Sequence, residues 1–261
     1  MTDMEKGGLS VRNVSLTYGQ GEKAVLALND VSFNVEPNAF TVIVGPSGCG
    51  KSSLLYLAAG LNTVSQGEML VNGHQVEGPG PDRGMVFQSY TLFPWLTVRQ
   101  NVEYGPRRKG LGSAERRAIS DKYLAEVGLS GFADHYPKQL SGGMMQRVAI
   151  ARALANDPDI LLMDEPFGAL DSQTRHTMQK LLLNVWQHDR KTVAFVTHDI
   201  DEAILLGDRV IVMTARPGRI KAEISIDIPR PRDPSIALEP EFIAMKRRIL
   251  DLLRDEIDEA H

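Results

Sequence analysis

Hydrophobic and polar residues alternate in the first third of the chain. Val31, Phe33 and Val35 alternate with polar neighbours, which is typical of a strand with one buried face. The dipeptide Asn72-Gly73 lies between two short segments of β-forming residues. Such a dipeptide indicates a two-residue β-hairpin, because both residues adopt a positive φ readily. This part of the chain is therefore predicted to be rich in antiparallel β-structure.

Continuous apolar runs replace this alternation later in the chain. Residues 160–163, 193–196 and 210–213 are apolar throughout. Runs of this kind are typical of parallel strands that helices cover on both faces. The segment 171–188, between the first two runs, has the composition of a helix. Strand, helix and strand in this order form a βαβ unit, and the pattern predicts an α/β fold.

Helical periodicity marks the middle and the end of the chain. Residues 113–127 form an amphipathic segment that Gly128 should end, and residues 141–155 also have a helical composition. The proline-rich stretch 229–234 predicts a stiff, non-helical linker. A last helix should follow, with one apolar side formed by Phe242, Met245, Ile249, Leu252 and Leu253.

Composition limits the classes of partner. The chain has 261 residues, of which 43% are hydrophobic and 24% charged, so one large domain with a substantial core is expected. Its net charge of −4 provides no overall basic field, and we expect no nucleic-acid partner. The single cysteine, Cys49, rules out an intrachain disulfide and fits a reducing compartment. Residues 1–9 lack the features of a signal peptide, and no apolar stretch is long enough to span a bilayer, so any membrane role should be peripheral.

A glycine-rich motif follows the predicted strand 40–44 and precedes the predicted helix 53–59. It fits the pattern G-x-x-x-x-G-K-[ST] with the residues Gly45, Pro46, Ser47, Gly48, Cys49, Gly50, Lys51 and Ser52. Glycines let successive N–H groups turn towards phosphate oxygens, and the helix adds its positive end. Lys51 should reach the β- and γ-phosphates of ATP, and the Ser52 hydroxyl should bind Mg²⁺. Ser53 follows in the same turn and is predicted to contact the nucleotide. The alternative interpretation of the whole motif is a chance match to the pattern.

The thiol of Cys49 lies inside this loop, at the amino end of the predicted helix. Such a position favours the thiolate. We therefore expect alkylation of Cys49 to abolish ATP binding and MgATP to protect it. The alternative is a thiol that is packed and inert.

Polar side chains follow several of the predicted strands. Asp164 and Glu165 end the run 160–163, at the edge of an α/β sheet where ligands gather. Asp164 can hold Mg²⁺ through its water, and Glu165 can orient and deprotonate the attacking water. His198 ends the next strand, where the γ-phosphate should lie. Gln88 ends a further short strand and could reach both Mg²⁺ and the water, although the residues alone favour a surface amide.

The order of these motifs resembles the ATPase subunits of ABC transporters over about the first 225 residues. The decisive segment resembles the signature motif of that family and reads Leu140, Ser141, Gly142, Gly143, Met144, Met145, Gln146 and Arg147. Related importers commonly have glutamine where Met145 stands. The resemblance implies an α/β fold with a P-loop NTPase (RecA-like) core, an antiparallel β subdomain and an inserted α-helical subdomain.

The resemblance also implies a set of roles. Tyr18 matches the aromatic residue that stacks on adenine, Gln88 the Q-loop glutamine, Asp171 the D-loop aspartate and His198 the H-loop histidine. Glu165, His198 and Gln88 are then the catalytic residues, and Ser52, Gln88 and Asp164 hold Mg²⁺. The signature residues bind the ATP held by a second subunit, and these are Ser141, Gly142 and Gly143.

The resemblance further implies how a single ABC ATPase domain, 1–261, is divided. Residues 1–88 and 156–228 should form the RecA-like core with the β subdomain. Residues 89–155 should form the helical subdomain with the signature motif. Residues 229–261 should form the C-terminal linker and helix.

Three short motifs look like the branch of importers for nitrate, sulfonate and taurine. They occupy residues 92–98, 215–220 and 228–233. The resemblance implies an ATP-hydrolysing subunit that works as a homodimer at the cytoplasmic side of the cell membrane. Permease subunits should dock near Ser89 to Tyr104, in a complex with a solute-binding protein.

Other functions remain as alternatives. An ATPase of a lipid or drug exporter has the same fold. A soluble ABC ATPase that acts on DNA or ribosomes usually fuses two ATPase units or inserts a long coiled coil, and this sequence has neither. A kinase with the same phosphate loop is disfavoured by the signature motif and by Glu165.

Overall fold

The computed structural model describes residues 7–188 and 190–258. Residues 1–6, part of the amino-terminal stretch discussed above, lie outside this description. Strands in the described ranges form two sheets. They are β1 Leu9–Tyr18, β2 Val25–Val35, β3 Phe40–Val44, β4 Gln66–Val71, β5 His74–Gln75, β6 Arg83–Val86, β7 Ile160–Asp164, β8 Thr192–Val196, β9 Arg209–Met213 and β10 Ile220–Ser225.

Helices surround these sheets. They are α1 Lys51–Ala58, α2 Val98–Val102, α3 Tyr104–Arg108, α4 Ser113–Glu126, α5 Gly142–Ala155, α6 Ser172–His188, α7 Ile200–Leu206 and α8 Pro240–Asp258. Short 3₁₀ turns lie at Gly21–Lys23, Ser130–Phe132, Pro137–Gln139 and Pro234–Leu238.

The larger sheet has six strands in the order β10-β9-β3-β8-β7-β6. Strands β9, β3, β8, β7 and β6 run parallel, and β10 is antiparallel to β9. Every residue of β3, β7 and β8 is buried, which confirms the prediction drawn from the continuous apolar runs. Because the parallel strands share one direction, their carboxyl ends meet at one edge of the sheet.

The smaller sheet is antiparallel, with the order β2-β1-β4-β5. The predicted hairpin is confirmed, since β4 pairs with β5 across Asn72 and Gly73, whose φ values are 55° and 77°. Both values are positive, as a type I′ turn requires. Val31, Phe33 and Val35 are buried along β2, as their alternation predicts.

The segment between β6 and β7 forms a group of helices, α2 to α5. The predicted helix 113–127 corresponds to α4, and Gly128 follows it with a φ of 70°. The predicted helix 141–155 corresponds to α5, where the Ser141 side chain accepts a hydrogen bond from the Met144 N–H and caps the amino end. Helices α2 and α4 both contact α5, whose central residues are buried.

The proline-rich linker is fastened to the carboxyl end of α7. The Arg232 guanidinium is buried and donates hydrogen bonds to the carbonyl oxygens of Ile204 (2.9 Å) and Ile228 (2.7 Å). Burial lowers the pKa of Arg232 to about 10. Arg230 binds the Asp208 carboxylate and lies over the Trp186 ring. A side chain that satisfies the last carbonyls of a helix stabilises its end, so the linker holds α7 in place.

The predicted last helix corresponds to α8. Phe242 and Ile249 are fully buried against the main core, and the other predicted apolar positions pack beside them. In the ranges 7–188 and 190–258, no helix combines the length and apolar character that crossing a membrane requires. The limits given above for the parts of the single domain stay predictions.

Candidate active site

The predicted phosphate-loop, magnesium and catalytic residues converge at the carboxyl edge of the six-stranded sheet. Strand β3 leads into the phosphate loop, β7 ends at Asp164, and β8 is followed by His198. Gln88 comes two residues after the end of β6. These strands are neighbours in the order β3-β8-β7-β6, so a nucleotide on the loop can be reached from each of them.

The phosphate loop has the backbone that its glycines permit. Gly48 and Gly50 have φ values of 76° and 102°, in the left-handed region that favours glycine. Gly50 directly precedes α1, and a Cβ on this residue would lie 2.7 Å from Leu28 Cδ2. The Lys51 ammonium donates hydrogen bonds of 2.9 Å to the carbonyl oxygens of Gly45 and Pro46. The loop therefore wraps around its own cation.

A cavity of about 370 Å³ opens over this loop. Its lining residues are Tyr18, Val25, Ala27, Ser47, Gly48, Gly50, Lys51, Ser52, Ser53, Glu165 and Arg216. The Tyr18 hydroxyl donates to Ser53 Oγ at 3.0 Å and accepts from Asn62 Nδ2 at 3.1 Å. Tyr18 is 43% exposed, so a face of its ring is accessible to a planar ligand. The cavity thus joins an aromatic platform to a phosphate-binding loop.

Two hard oxygen ligands lie together at Ser52, which lines the cavity. Ser52 Oγ donates to Asp164 Oδ1 at 2.8 Å, and Asp164 is only 2% exposed. Burial raises the pKa of Asp164, although hydrogen bonds from Ser52 and Tyr56 oppose this shift. A hydroxyl beside a carboxylate fits Mg²⁺, which prefers oxygen ligands and whose charge would keep Asp164 ionised.

Glu165 has a strained backbone and a close partner. Its φ is 41°, which is uncommon outside glycine and is often found in active sites. Its Oε2 atom lies 2.9 Å from Nδ1 of His198. The Gln88 amide is nearby, because a Cβ built on Gly168 would lie 3.6 Å from Glu165 Oε2 and 3.8 Å from Gln88 Nε2. The three predicted catalytic side chains are therefore brought together.

The signature residues lie on a part of the surface that is separate from the cavity. Ser141, Gly142 and Gly143 begin α5, and in the described part of the chain they do not line the cavity. A Cβ on Gly142 would lie 2.6 Å from the Tyr90 hydroxyl. Asp171 accepts a hydrogen bond from the Thr174 N–H, and the hydrogen bonds from Thr174 lower its pKa. Within one chain, the signature and the phosphate loop thus present separate surfaces.

Two arginines near the site were not among the predicted site residues. Arg216 lines the cavity and donates to the Gly48 carbonyl oxygen. Arg175 donates to the carbonyl oxygen of Leu170 at 3.1 Å and to Asp199 at 3.4 Å, so it joins the segment before Asp171 to the residue after His198. Each contact depends on tertiary structure. Arg216 does, however, belong to the motif at 215–220.

The structure contradicts the prediction that Cys49 is a thiolate, whereas its reactivity stays a prediction. The side chain is fully buried in the core beneath the loop. Burial raises the pKa of the thiol, and the nearby Lys51 opposes this only in part. Desolvation therefore outweighs the positive end of α1, and this burial favours the alternative of a packed thiol.

We expect the native protein to resist thiol alkylation. A maleimide reagent should label Cys49 much more slowly in the folded chain than in urea, and saturating MgATP should leave the native rate unchanged. Mass spectrometry of the labelled protein measures both rates. Rapid native labelling that MgATP suppresses would show that the thiol is accessible from the cavity after all.

Comparisons with known proteins identify the family. The family model described as ABC transporter matches residues 28–168. The chain is 52% identical over 255 residues to an uncharacterized ABC transporter ATP-binding protein of Methanocaldococcus jannaschii, covering 98% of this chain and 94% of that protein. It is 46% identical to the nitrate import ATP-binding protein NrtD of Synechocystis, covering 94% of this chain and 95% of that protein. It is 44% identical to the taurine import ATP-binding protein TauB of Jannaschia, covering 97% and 96%.

A solved structure gives the same result for the fold. It is a dimeric ATP-binding cassette in a post-hydrolysis state, bound to ADP and Pi. The two chains superpose with a TM-score of 0.75 at 38% identity, covering 84% of this chain and 99% of that one. The P-loop NTPase fold and the resemblance stated from the motifs are thereby confirmed, and ATP binding by the cassette is supported. The chain belongs to the ABC transporter family, and it is an ATP-binding and ATP-hydrolysing cassette of that family.

Proposed function

We propose that this chain powers a membrane importer for nitrate, sulfonate, taurine or a related small solute. The observation that carries the proposal is the similarity, over nearly the whole chain, to relatives named as nitrate and taurine import ATP-binding proteins. The motifs at 92–98, 215–220 and 228–233 support the same branch. A motor of this kind works at the cytoplasmic face of the membrane, together with permease subunits and a solute-binding protein.

The geometry of the site supports the following proposed division of roles. Tyr18 receives the base, and the N–H groups of the phosphate loop bind the phosphates. Lys51, now held by two loop carbonyls, turns its ammonium to the β- and γ-phosphates. Glu165 takes the proton from the attacking water, and its hydrogen bond to His198 fixes the carboxylate towards the γ-phosphate. Mg²⁺, held by Ser52, Asp164 and Gln88, would neutralise phosphate charge.

A second copy of the chain completes each site in this proposal. Ser141, Gly142 and Gly143 offer a hydroxyl, close backbone approach and the amino end of α5, which together suit an anion. Because these residues do not line the cavity of their own chain, a head-to-tail homodimer is the arrangement that would bring them to a γ-phosphate. Two ATP molecules would then lie between the two chains.

The permease-docking surface is proposed on the segment that follows Gln88. Val98 and Val102 are fully buried, so part of this apolar segment belongs to the core. The ring centroid of Phe93 lies 5.7 Å from that of Trp95 and 4.6 Å from that of Tyr104. We call these three residues the aromatic patch. Trp95 is 70% exposed. Exposed aromatic residues that cluster in this way favour a protein partner.

Replacing Trp95 with Glu tests docking separately from folding. Because the indole is mostly exposed, the isolated subunit should keep its melting temperature. Its ATP affinity should stay within about twofold of the wild-type value. Co-purification with the permease and ATP-driven solute uptake into vesicles should fall at least about tenfold, as expected for a charge in the centre of an interface.

The control for this experiment is Leu238→Glu. Leu238 is 83% exposed and lies on the 3₁₀ turn before α8, a turn that contacts α7 and α8. This variant should bind the permease normally. Normal transport by Trp95→Glu would contradict the proposed docking surface, and vesicles that hydrolyse ATP but export the solute would contradict the import function.

A further inference from the structure

The loop after β9 forms a brace between the smaller sheet and the phosphate loop. The Gly218 N–H donates to the Ala27 carbonyl oxygen at 2.9 Å, and the Asn29 N–H donates to the Gly218 carbonyl oxygen at 3.0 Å. A Cβ on Gly218 would lie only 2.0 Å from the Cys49 carbonyl oxygen. The backbone of this loop therefore lies directly against the phosphate loop, and its position is fixed by β2.

Arg216 extends from this brace into the nucleotide cavity. Its Nε and Nη2 atoms lie 3.3 Å and 3.2 Å from the Gly48 carbonyl oxygen. The side chain is exposed, and it lines the same cavity as Tyr18 and Lys51. A guanidinium has several N–H donors in a rigid fork, so these contacts leave others available for a ligand.

The positive charge of Arg216 suits the cavity to an anionic ligand. Lys51 and Arg216 are the cationic side chains among the residues that line the cavity, and both donate to carbonyl oxygens of the phosphate loop. A carbonyl is a weaker partner for a cation than a phosphate, because hydrogen bonds between two charged groups are the stronger ones. A polyphosphate in the cavity would therefore attract the free edge of the Arg216 guanidinium.

We propose that Arg216 is a nucleotide-binding residue that donates hydrogen bonds to the phosphate chain of ATP. Its anchor on Gly48 holds the guanidinium beside the loop before the nucleotide arrives. This inference rests on the proposed ATP site, and it adds to that site a cation from outside the phosphate loop. It also gives the motif at 215–220 a function, since Gly218 sets the position of the brace and Arg216 supplies the charge.

Three substitutions separate charge from bracing. Arg216→Gln keeps a donor for the Gly48 carbonyl but removes the charge, Arg216→Lys keeps the charge but loses the fork, and Arg216→Ala removes both. The matched control is Arg219→Ala, because the Arg219 guanidinium in the same motif lies within hydrogen-bond distance of the Asn29 side chain and does not line the cavity in the described chain.

Calorimetric titration with ATP, ADP and adenosine provides the test. We expect Arg216→Ala and Arg216→Gln to weaken ATP and ADP binding about five- to twentyfold and to leave adenosine within about twofold. Arg216→Lys should lose less than either, and Arg219→Ala should bind like the wild type. The wild-type affinity for ATP should also fall more steeply with NaCl than that of Arg216→Gln.

Two kinds of result would contradict the nucleotide-binding role of Arg216. Wild-type ATP affinity in Arg216→Gln, or an equal loss for ATP and adenosine, would mean that Arg216 only braces the loop and would overturn the proposal. If Arg216→Ala does not fold, Arg216→Gln and Arg216→Lys still give this comparison. Failure of the wild-type protein to bind ATP would instead contradict the ATP site itself.

Discussion

Replacing Glu165 with Gln is expected to lower kcat for ATP hydrolysis by about 10²–10⁴-fold while ATP still binds. The carboxylate is fixed by a strained backbone and by the 2.9 Å contact between Oε2 and the His198 ring. An amide of the same shape cannot take a proton from water. The effect should therefore appear in kcat, whereas the dissociation constant for ATP should change by less than about threefold.

Phosphate release under saturating MgATP measures this effect, and size-exclusion chromatography detects its second consequence. A site that binds ATP without cleaving it should accumulate an ATP-bound dimer. Glu77→Gln is the matched control, since Glu77 is an exposed carboxylate in the loop after β5. Near-normal hydrolysis by Glu165→Gln would assign the base to another group.

Much of the fold follows from local patterns. The strands β3, β7 and β8 are predictable because a strand buried on both faces is apolar at every position. The hairpin at Asn72 and Gly73 is predictable because few dipeptides adopt two positive φ values. The site residues at the strand ends are likewise predictable, since the topology of a parallel sheet brings those ends together.

Other features depend on contacts between residues that are distant in the sequence. Arg216 and Gly48 are separated by 168 positions, and no periodicity links them. The burial of the Cys49 thiol results from core packing, whereas the sequence shows only its place at a helix end. Near Gln88, Val98 is core and Trp95 is surface, although both are apolar residues of one segment. The sequence pattern predicts which residues are apolar, and tertiary packing decides which of them are buried.

We propose that two copies of this chain share each ATP site, and mixed dimers test this arrangement. All chains carry Glu165→Gln, so that closed dimers persist. One preparation also carries Ser141→Arg, which places a bulky cation at the amino end of α5, and the other carries Lys51→Ala, which removes the phosphate-binding ammonium. In a mixed dimer, one site has both lesions and the other has neither.

Analytical ultracentrifugation in MgATP measures whether dimers form. We expect each preparation alone to stay monomeric, because every site in a homodimer carries one lesion. Mixing the two should restore ATP-dependent dimers. Mixing either preparation with more of itself provides the control. Dimers in either preparation alone, or no dimers in the mixture, would contradict a site shared between Lys51 of one chain and Ser141 of the other.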